Sequence, residues 1–336
     1  MSTLKVGVVG CGNIFKLAHS KALKKLENVE VTACMDVIPE RAEEGAELFN
    51  ARAFTSFDEF LDTDIDVVEV LTPTFTHPEL AIKALKAGRH VIVEKPLALN
   101  TEDGEKMIRE AERRGLMLLV GHVRRFDKRW VTMKNLMMKR NFVPTWMKKS
   151  EVQRLPFPAD YWYWDESKSG GVALDLGVHV VDHVRWFLNA EPLSVTAHGL
   201  SIREEAKVNN TYDHFVMMIE FDGGKTGVVE VSWAYPYPSR YGVFYHHVDV
   251  FGRNGRIRYV PMDTPMVGVV KGDFEVPRFS PLLSTYPEAF VEELRHFFAC
   301  IEGLEEPRVT AHDALIAVEI VEKAVKSART GRTERW

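Results

Sequence analysis

At 336 residues, with 46% apolar and 27% charged positions, the chain has the length of about two domains and the composition of an ordinary globular protein. A formal net charge of −5 argues against a nucleic-acid partner, which would favour a basic face, and no apolar run is long enough to span a bilayer. Cys11, Cys34 and Cys300 are far apart and show neither a CxxC nor a zinc spacing. That pattern, with an N-terminus that enters an apolar strand without a signal-peptide pattern, leads us to expect a reducing cytoplasm and no disulfide framework.

The first half alternates short apolar runs with helical patterns. Lys5 to Val9 reads as a buried strand, followed at once by Gly10-Cys11-Gly12-Asn13-Ile14-Phe15 and a helical pattern from about Asn13 to Lys25. Two glycines between strand and helix match a dinucleotide-binding turn: the first makes the tight turn, and the second lets a pyrophosphate approach the backbone. The usual third glycine is Phe15, which should push the helix off the strand. Glu30 to Met35 is the second strand and ends at Asp36. An acid there can accept hydrogen bonds from an adenosine ribose and repel a 2′-phosphate, which favours NAD over NADP. Alternatively, Asp36 caps the helix that starts at Pro39.

Asp66 to Leu71 is the next strand, followed by the loop Thr72-Pro73-Thr74-Phe75-Thr76-His77 and a helix from about Pro78 to Ala87 closed by Gly88. His77 reads as a loop or helix-cap residue rather than a catalyst. Val91-Ile92-Val93 is a further buried strand, and it ends abruptly in Glu94-Lys95-Pro96. Charges at the carboxyl end of a buried strand are expensive unless they serve a ligand, and that end is where ligands bind in open α/β sheets. The proline would hold Lys95 in one direction, through a trans or a cis bond. The plain alternative is a strand that exits into solvent with two ordinary surface charges. A helix from about Glu102 to Arg114 and a strand from Leu116 to Val120 complete a doubly wound parallel sheet of five strands, whose carboxyl ends carry Gly10, Asp36, Thr72 and Lys95.

Past Gly121 the pattern changes. After a basic stretch, His122 to Phe126, and a helix from about Arg129 to Lys139, period-two strands dominate. These are 146–153, 193–202, 211–221, 226–233, 244–251 and 255–260. They describe a large, mostly antiparallel sheet with one face covered and one free, the free face being a subunit contact. Helices close the chain at about 287–301 and 311–328. The expected fold class is therefore α/β: a doubly wound nucleotide-binding domain over residues 1–121, then an α+β domain over 122–336 for substrate and oligomerisation.

Within the second half, Gly170 to Phe187 puts Asp175, His179 and Asp182 or His183 on one helical stripe. A histidine one turn from an aspartate suits a proton shuttle, since its pKa can sit near neutrality. Two other readings compete: a metal site on Asp175, His179 and His183, which lacks the glutamate of known helical zinc motifs, and buried polar residues with structural partners. We expect no metal.

The chain resembles the glucose-fructose oxidoreductase / inositol dehydrogenase / rhizopine-catabolism family of oxidoreductases over nearly its whole length. The resemblance rests on Gly10-Cys11-Gly12-Asn13-Ile14, on Thr72-Pro73 with His77, on Glu94-Lys95-Pro96 and on Gly170 to Phe187. It implies a Rossmann domain followed by an α/β domain with an open sheet. It also implies NAD(P)-dependent oxidation or reduction of a sugar or cyclitol, and a homodimer or homotetramer formed through that sheet. By position, Lys95 matches the family lysine that contacts substrate beside the nicotinamide, Asp175 the acid that holds substrate, and His179 the general acid/base. Gly10, Gly12, Asn13, Ile14, Asp36, Thr72, Pro73, Thr74, His77, Glu94 and Lys95 fall in the cofactor-binding positions. Phe15 and Thr74, where family members often carry Asn, depart from the common pattern.

The substrate is less legible. Trp162 and Trp164 could stack on a sugar face or belong to the core. Arg124, Arg125 and Arg154 could bind a phosphate or nucleotide-sugar, and His183 could also reach substrate. An unmodified sugar or inositol is the leading reading, a sugar phosphate or nucleotide-sugar the alternative. A non-catalytic NAD-binding regulator is the rival of another class; retention of Lys95, Asp175 and His179 together argues against it. A metal-dependent hydrolase using NAD internally stands further behind.

Overall fold

A computed structural model of the chain describes residues 3–234, 245–260, 264–270, 273–275 and 286–336. Contacts divide the chain into two compact units, Met1–Asp127 with Thr285–Leu315, and Lys128–Ser284 with Ile316–Trp336.

The first unit is built on six strands among the described residues: β1 (Leu4–Val9), β2 (Val29–Met35), β3 (Arg52–Phe54), β4 (Val67–Val70), β5 (His90–Glu94) and β6 (Leu118–Gly121). Their order is β3-β2-β1-β4-β5-β6, and every neighbouring pair is parallel. This is the doubly wound sheet expected, with one strand more. β3 is only Arg-Ala-Phe at the edge, and it is too short for a period to show. The helices begin and end as local chemistry dictates. In helix Thr101–Arg114 the Asn100 side chain accepts the Asp103 amide at 2.8 Å, and Gly115 ends the helix at φ 63°.

The register decides which loops share an edge. Met35 pairs with Val9, Val9 with Val70, Val70 with Val93, and Val93 with Val120. One row of residues thus crosses five strands, and the next residues along the chain are Asp36, Gly10, Leu71, Glu94 and Gly121. β4 is buried at every position, as a strand covered on both faces must be.

Helix Tyr286–Ile301 belongs to this unit, not to the second domain as its place in the chain suggested. Phe290, Leu294, Phe297 and Phe298 join one apolar core with Val6, Val8, Phe15, Ala18, Ala22 and Phe126. The first unit runs to Asp127 and includes 285–315, where the sequence led us to expect a division between residues 121 and 122. The reason is burial: the apolar stripe of that helix covers side chains from the start of the chain.

The second unit holds a nine-stranded sheet among the described residues, ordered β14-β13-β12-β11-β7-β10-β9-β8-β15. Its strands are β7 (Pro144–Val152), β8 (Pro192–Leu200), β9 (His214–Phe221), β10 (Lys225–Ser232), β11 (Tyr245–Gly252), β12 (Gly255–Val260), β13 (Thr264–Val270), β14 (Asp273–Glu275) and β15 (Glu334–Arg335). All pairs are antiparallel except β7 with β10. Phe244, expected to open a strand, lies outside the described residues. Period-two burial is clear in β9, where Phe215, Met217, Ile219 and Phe221 point inward and Met218 is 50% exposed. Helix Gly177–Leu188 packs on the inward face: a Cβ on Gly227 of β10 would meet Val184 at 2.5 Å, so that glycine lets the helix approach closely.

Phe297 is wholly buried in the core of the first unit. Phe297→Ala is expected to lower the unfolding free energy by about 3–5 kcal/mol, measured by urea titration. A loss below about 1 kcal/mol would show that this helix does not complete the core.

Candidate active site

The candidate residues form two sets, one in each unit. In the first unit the glycine turn follows β1 directly. Gly10 sits at φ 96°, a conformation that disfavours a side chain, and its amide donates to the Met35 carbonyl at 2.8 Å. A Cβ there would lie 2.7 Å from the Leu71 carbonyl oxygen, so glycine is required for space as well as conformation. Gly12 is different: a Cβ there would meet nothing within 4 Å. The space above the second glycine is open, as the approach of a pyrophosphate demands.

The helical segment that starts at Asn13 passes through a π turn, Phe15–His19, before it ends as Ser20–Leu23. Phe15 occupies the position of the missing third glycine. Its ring is buried, 6.2 Å from Phe49, and Gly45 of helix Pro39–Glu47 leaves room beside it.

Asp36 is 7% exposed, and its carboxylate accepts the Cys11 amide at 2.9 Å and the Ile38 amide at 2.9 Å. The capping alternative fails, because the residue capping helix Pro39–Glu47 is Ile38 and no side-chain bond caps it. Asp36 instead ties the end of β2 to the glycine turn.

Across the same edge, the Thr72 and Thr76 hydroxyls lie 2.6 Å apart, and Thr76 donates to the Pro73 carbonyl at 2.7 Å. Thr74 is buried in the short turn Thr74–Thr76. His77 opens the next helix, with its ring nitrogens 2.9 Å from the carbonyls of Pro96 and Thr72. Burial pushes this imidazole below its usual range against the pull of those carbonyls. The ring lies between the Thr72 loop and the turn that carries Lys95, facing a carbonyl of each. Its place is that of a loop residue at the head of the helix.

The Lys95–Pro96 peptide is cis. Glu94 is not an ordinary surface charge. Glu94 is 9% exposed, with one oxygen 2.9 Å from His19 Nε2 and the other accepting the Lys95 amide at 2.9 Å. Its carboxylate thus bonds to two groups of the protein at this edge. His19 and its second partner, Glu69, are the residues that sequence reasoning missed. A signal was present, since Glu69 interrupts the apolar run Val67-Val68-Glu69-Val70-Leu71 and a charge in such a strand must find a partner.

Arg124 and Arg125 lie in the buried turn Val123–Phe126. Arg125 donates to the Arg308 carbonyl at 3.1 Å and faces Asp313 at 4.0 Å, so it serves the first unit's own packing.

In the second unit, Gly170 and Gly171 adopt φ 75° and 65° and lead into helices Gly171–Asp175 and Gly177–Leu188, separated by Leu176. Asp175 is 7% and His179 4% exposed, one helical turn apart. His183 is buried in the second unit. Its ring is wholly buried, 5.3 Å from Trp130, and the ammonium of buried Lys149 is bonded to its Nδ1. Trp164 is likewise core, fully buried and edge-on to Trp233 at 5.5 Å. Trp162 keeps partial exposure and lies 4.3 Å from the Tyr163 ring. Among the described residues, no group of three or more His, Cys, Asp or Glu side chains could hold a metal ion.

Family models cover both halves: "Oxidoreductase family, NAD-binding Rossmann fold" matches residues 4–122, and "Oxidoreductase family, C-terminal alpha/beta domain" matches 141–335. The chain belongs to the glucose-fructose oxidoreductase / inositol dehydrogenase / rhizopine-catabolism (Gfo/Idh/MocA) family. It is 30% identical to a myo-inositol 2-dehydrogenase of Thermotoga maritima, over 98% of each chain. It is 28% identical to an NAD(+)-dependent scyllo-inositol 2-dehydrogenase of Bacillus subtilis, over 98% of this chain and 95% of that one. Among solved structures, GenD2 from gentamicin A biosynthesis, in complex with NAD, superposes with a TM-score of 0.86 at 26% identity, covering 100% of this chain and 97% of that one.

As a member of the Gfo/Idh/MocA family the chain is an NAD-binding oxidoreductase, and the glycine turn fits that cofactor. The open space at Gly12 and the Asp36 carboxylate at the end of β2 are the features a dinucleotide requires.

This geometry leads to two expected outcomes. Gly12→Val is expected to leave the melting temperature nearly unchanged, since no atom stands in its way, while NADH affinity in a fluorescence titration falls roughly tenfold or more. Unchanged affinity would mean that the cofactor does not approach this turn. The second outcome concerns pH. Burial alone would lower the His19 pKa, but Glu69 and Glu94 raise it from 6.5 to about 10. A raised pKa means stability that is fully present below pH 6.5 and lost as pH rises through about 10. Melting temperatures read by calorimetry across that window should decline, and a flat profile would contradict the ionised ring.

Proposed function

We propose that this chain oxidises a secondary hydroxyl of an unphosphorylated cyclitol or sugar, or reduces the corresponding ketone. The observation that carries the reading is the register row of the first sheet. It places the glycine turn, Asp36, the Thr72 loop and the Lys95–Pro96 turn at one edge. Two relatives of near-complete mutual coverage are inositol dehydrogenases, which supports the substrate class.

Bound NAD would supply the hydride acceptor, held by Gly10, Gly12, Asn13, Ile14, Asp36, Thr72, Pro73 and Thr74. The chain's own residues handle the proton and the oxygen. His179 takes the hydroxyl proton as the carbon–hydrogen bond breaks. The Lys95 ammonium donates to the oxygen as it gains carbonyl character, and Asp175 orients the substrate or the His179 ring. In the reverse direction His179 returns the proton. Asp36 favours NAD over NADP, because a 2′-phosphate would face its carboxylate and the neighbouring Val37 and Ile38 offer no cation. The internal engagement of Arg125 weakens the case for an anionic substrate.

The reading extends to the rest of the molecule. Leu193, Leu200 and Met218 on β8 and β9 are 45–51% exposed, which supports self-association through that sheet as a homodimer or homotetramer. No described helix is long and apolar enough to cross a membrane. The three free, buried cysteines favour a cytoplasmic setting.

The test is an absorbance assay at the NADH band with NAD or NADP, offered myo-inositol, aldoses, sugar phosphates and UDP-sugars. Turnover is expected with NAD and an unmodified polyol. Lys95→Ala and His179→Ala should each lose roughly 10²–10⁴-fold in kcat while NADH still binds. Near-normal turnover in either variant would sink its assigned role.

A further inference from the structure

The helix after the glycine turn carries a buried cluster that cofactor binding does not require. Its π turn, Phe15–His19, has one residue more than an α turn, which rotates the succeeding residues around the axis. His19 closes that turn and is 1% exposed. Its Nδ1 lies 2.8 Å from Glu69 Oε1 on β4, and its Nε2 lies 2.9 Å from Glu94 Oε1 at the end of β5. Ionised carboxylates only accept hydrogen bonds, so both contacts are satisfied when both ring nitrogens carry protons.

Every element around the ring contributes. β4 brings Glu69, and β5 brings Glu94, followed by Lys95. Helix Tyr286–Ile301 brings Glu293, together with the Phe290 ring, edge-on at 4.9 Å. Glu293 is wholly buried, and neither of its carboxyl oxygens has a hydrogen-bond partner. Burial, then Glu94, holds its carboxyl well above the usual carboxylate range. From β6, a Cβ on Gly121 would come within 3.3 Å of the Glu94 carboxyl group, so a glycine there leaves the space that Glu94 fills.

A buried ion cluster of this kind is costly to assemble, and replacing it by apolar side chains would often stabilise a fold. What it supplies here is direction. The Glu94 oxygen that does not face His19 accepts the Lys95 amide at 2.9 Å.

We propose that His19 is a positioning residue for Lys95: its imidazolium, clamped by Glu69, pins the Glu94 carboxylate, which fixes the turn presenting the Lys95 side chain. The inference rests on the proposed role of Lys95 in the reaction. It makes the first helix a brace between the glycine turn and the lysine turn.

The test compares wild type, His19→Gln, Glu94→Gln and the double variant, with NAD and myo-inositol as the probe substrates. His19→Gln is expected to lower kcat roughly tenfold or more, with KM for NAD within about threefold, since displacing a positioned group costs turnover before binding. If His19 acts through Glu94, the double variant loses no more than the worse single variant. Losses that multiply, or an unchanged kcat in His19→Gln, overturn the proposal. If His19→Gln does not fold, Glu69→Gln replaces it, with the same expected fall in kcat and the same reading. A second measurement is independent of turnover: ¹⁵N spectra of wild-type histidines should show one buried ring protonated at both nitrogens near pH 8.5, and its absence also overturns the proposal. A wild type that binds NADH but turns over no polyol counts against the dehydrogenase reading itself. An active wild type with an unaffected His19 variant counts against the brace alone.

Discussion

The arrangement at the cofactor edge depends on the parallel register of the first sheet. Parallel strands pair with evenly spaced bonds, so one register choice propagates across the whole sheet. Here Met35, Val9, Val70, Val93 and Val120 stand in one row, and the residue after each row position begins a functional or supporting loop. A slip by one residue in β5 would exchange the side chains on its two covered faces and carry Glu94 away from His19. The buried valines enforce the register because each strand must match both covered faces.

At the edge of that sheet, polar groups act mainly on one another. Asp36 holds the glycine turn, His77 joins two loops, and Glu94 links His19 to Lys95. These are bonds to backbone amides and carbonyls, or between buried charges, in a setting where leaving them unmade is expensive. A site that positions a cofactor and a substrate carbon needs such support, since small misplacements cost large factors in rate. The second unit solves its own problem differently. It lays a helix on an open sheet, made possible where Gly227 admits Val184, and seats Asp175 and His179 near the start of that helix.

Much of this architecture is legible in the residues alone. Strands β1, β2, β4 and β5 announce themselves as β-branched runs bounded by glycine, aspartate or proline, and Asn100 and Gly115 mark the ends of a helix. Other features are not. β3 and β15 are too short to carry a period, and β15 forms only because β8 presents an edge. Trp164 and His183 carry the residue types of a binding site, yet both rings are buried, because local spacing cannot tell an inward stripe from a cleft. Glu69 is readable as a charge that needs a partner, but the partner lies 50 residues away in sequence.

The sequence by itself determined the two kinds of sheet, the glycine turn with Asp36, the lysine–proline turn and the aspartate–histidine helix. Each depends on neighbours within about one element, where periodicity and turn chemistry act. Only the tertiary structure decided that helix Tyr286–Ile301 completes the first core, that a π turn aims His19 inward, and that Glu69, Glu94 and Glu293 surround it. The reason is physical. An amphipathic helix shows that it has an apolar face but not which surface will cover it, and a buried charge shows that it needs a counter-charge but not which strand will bring it.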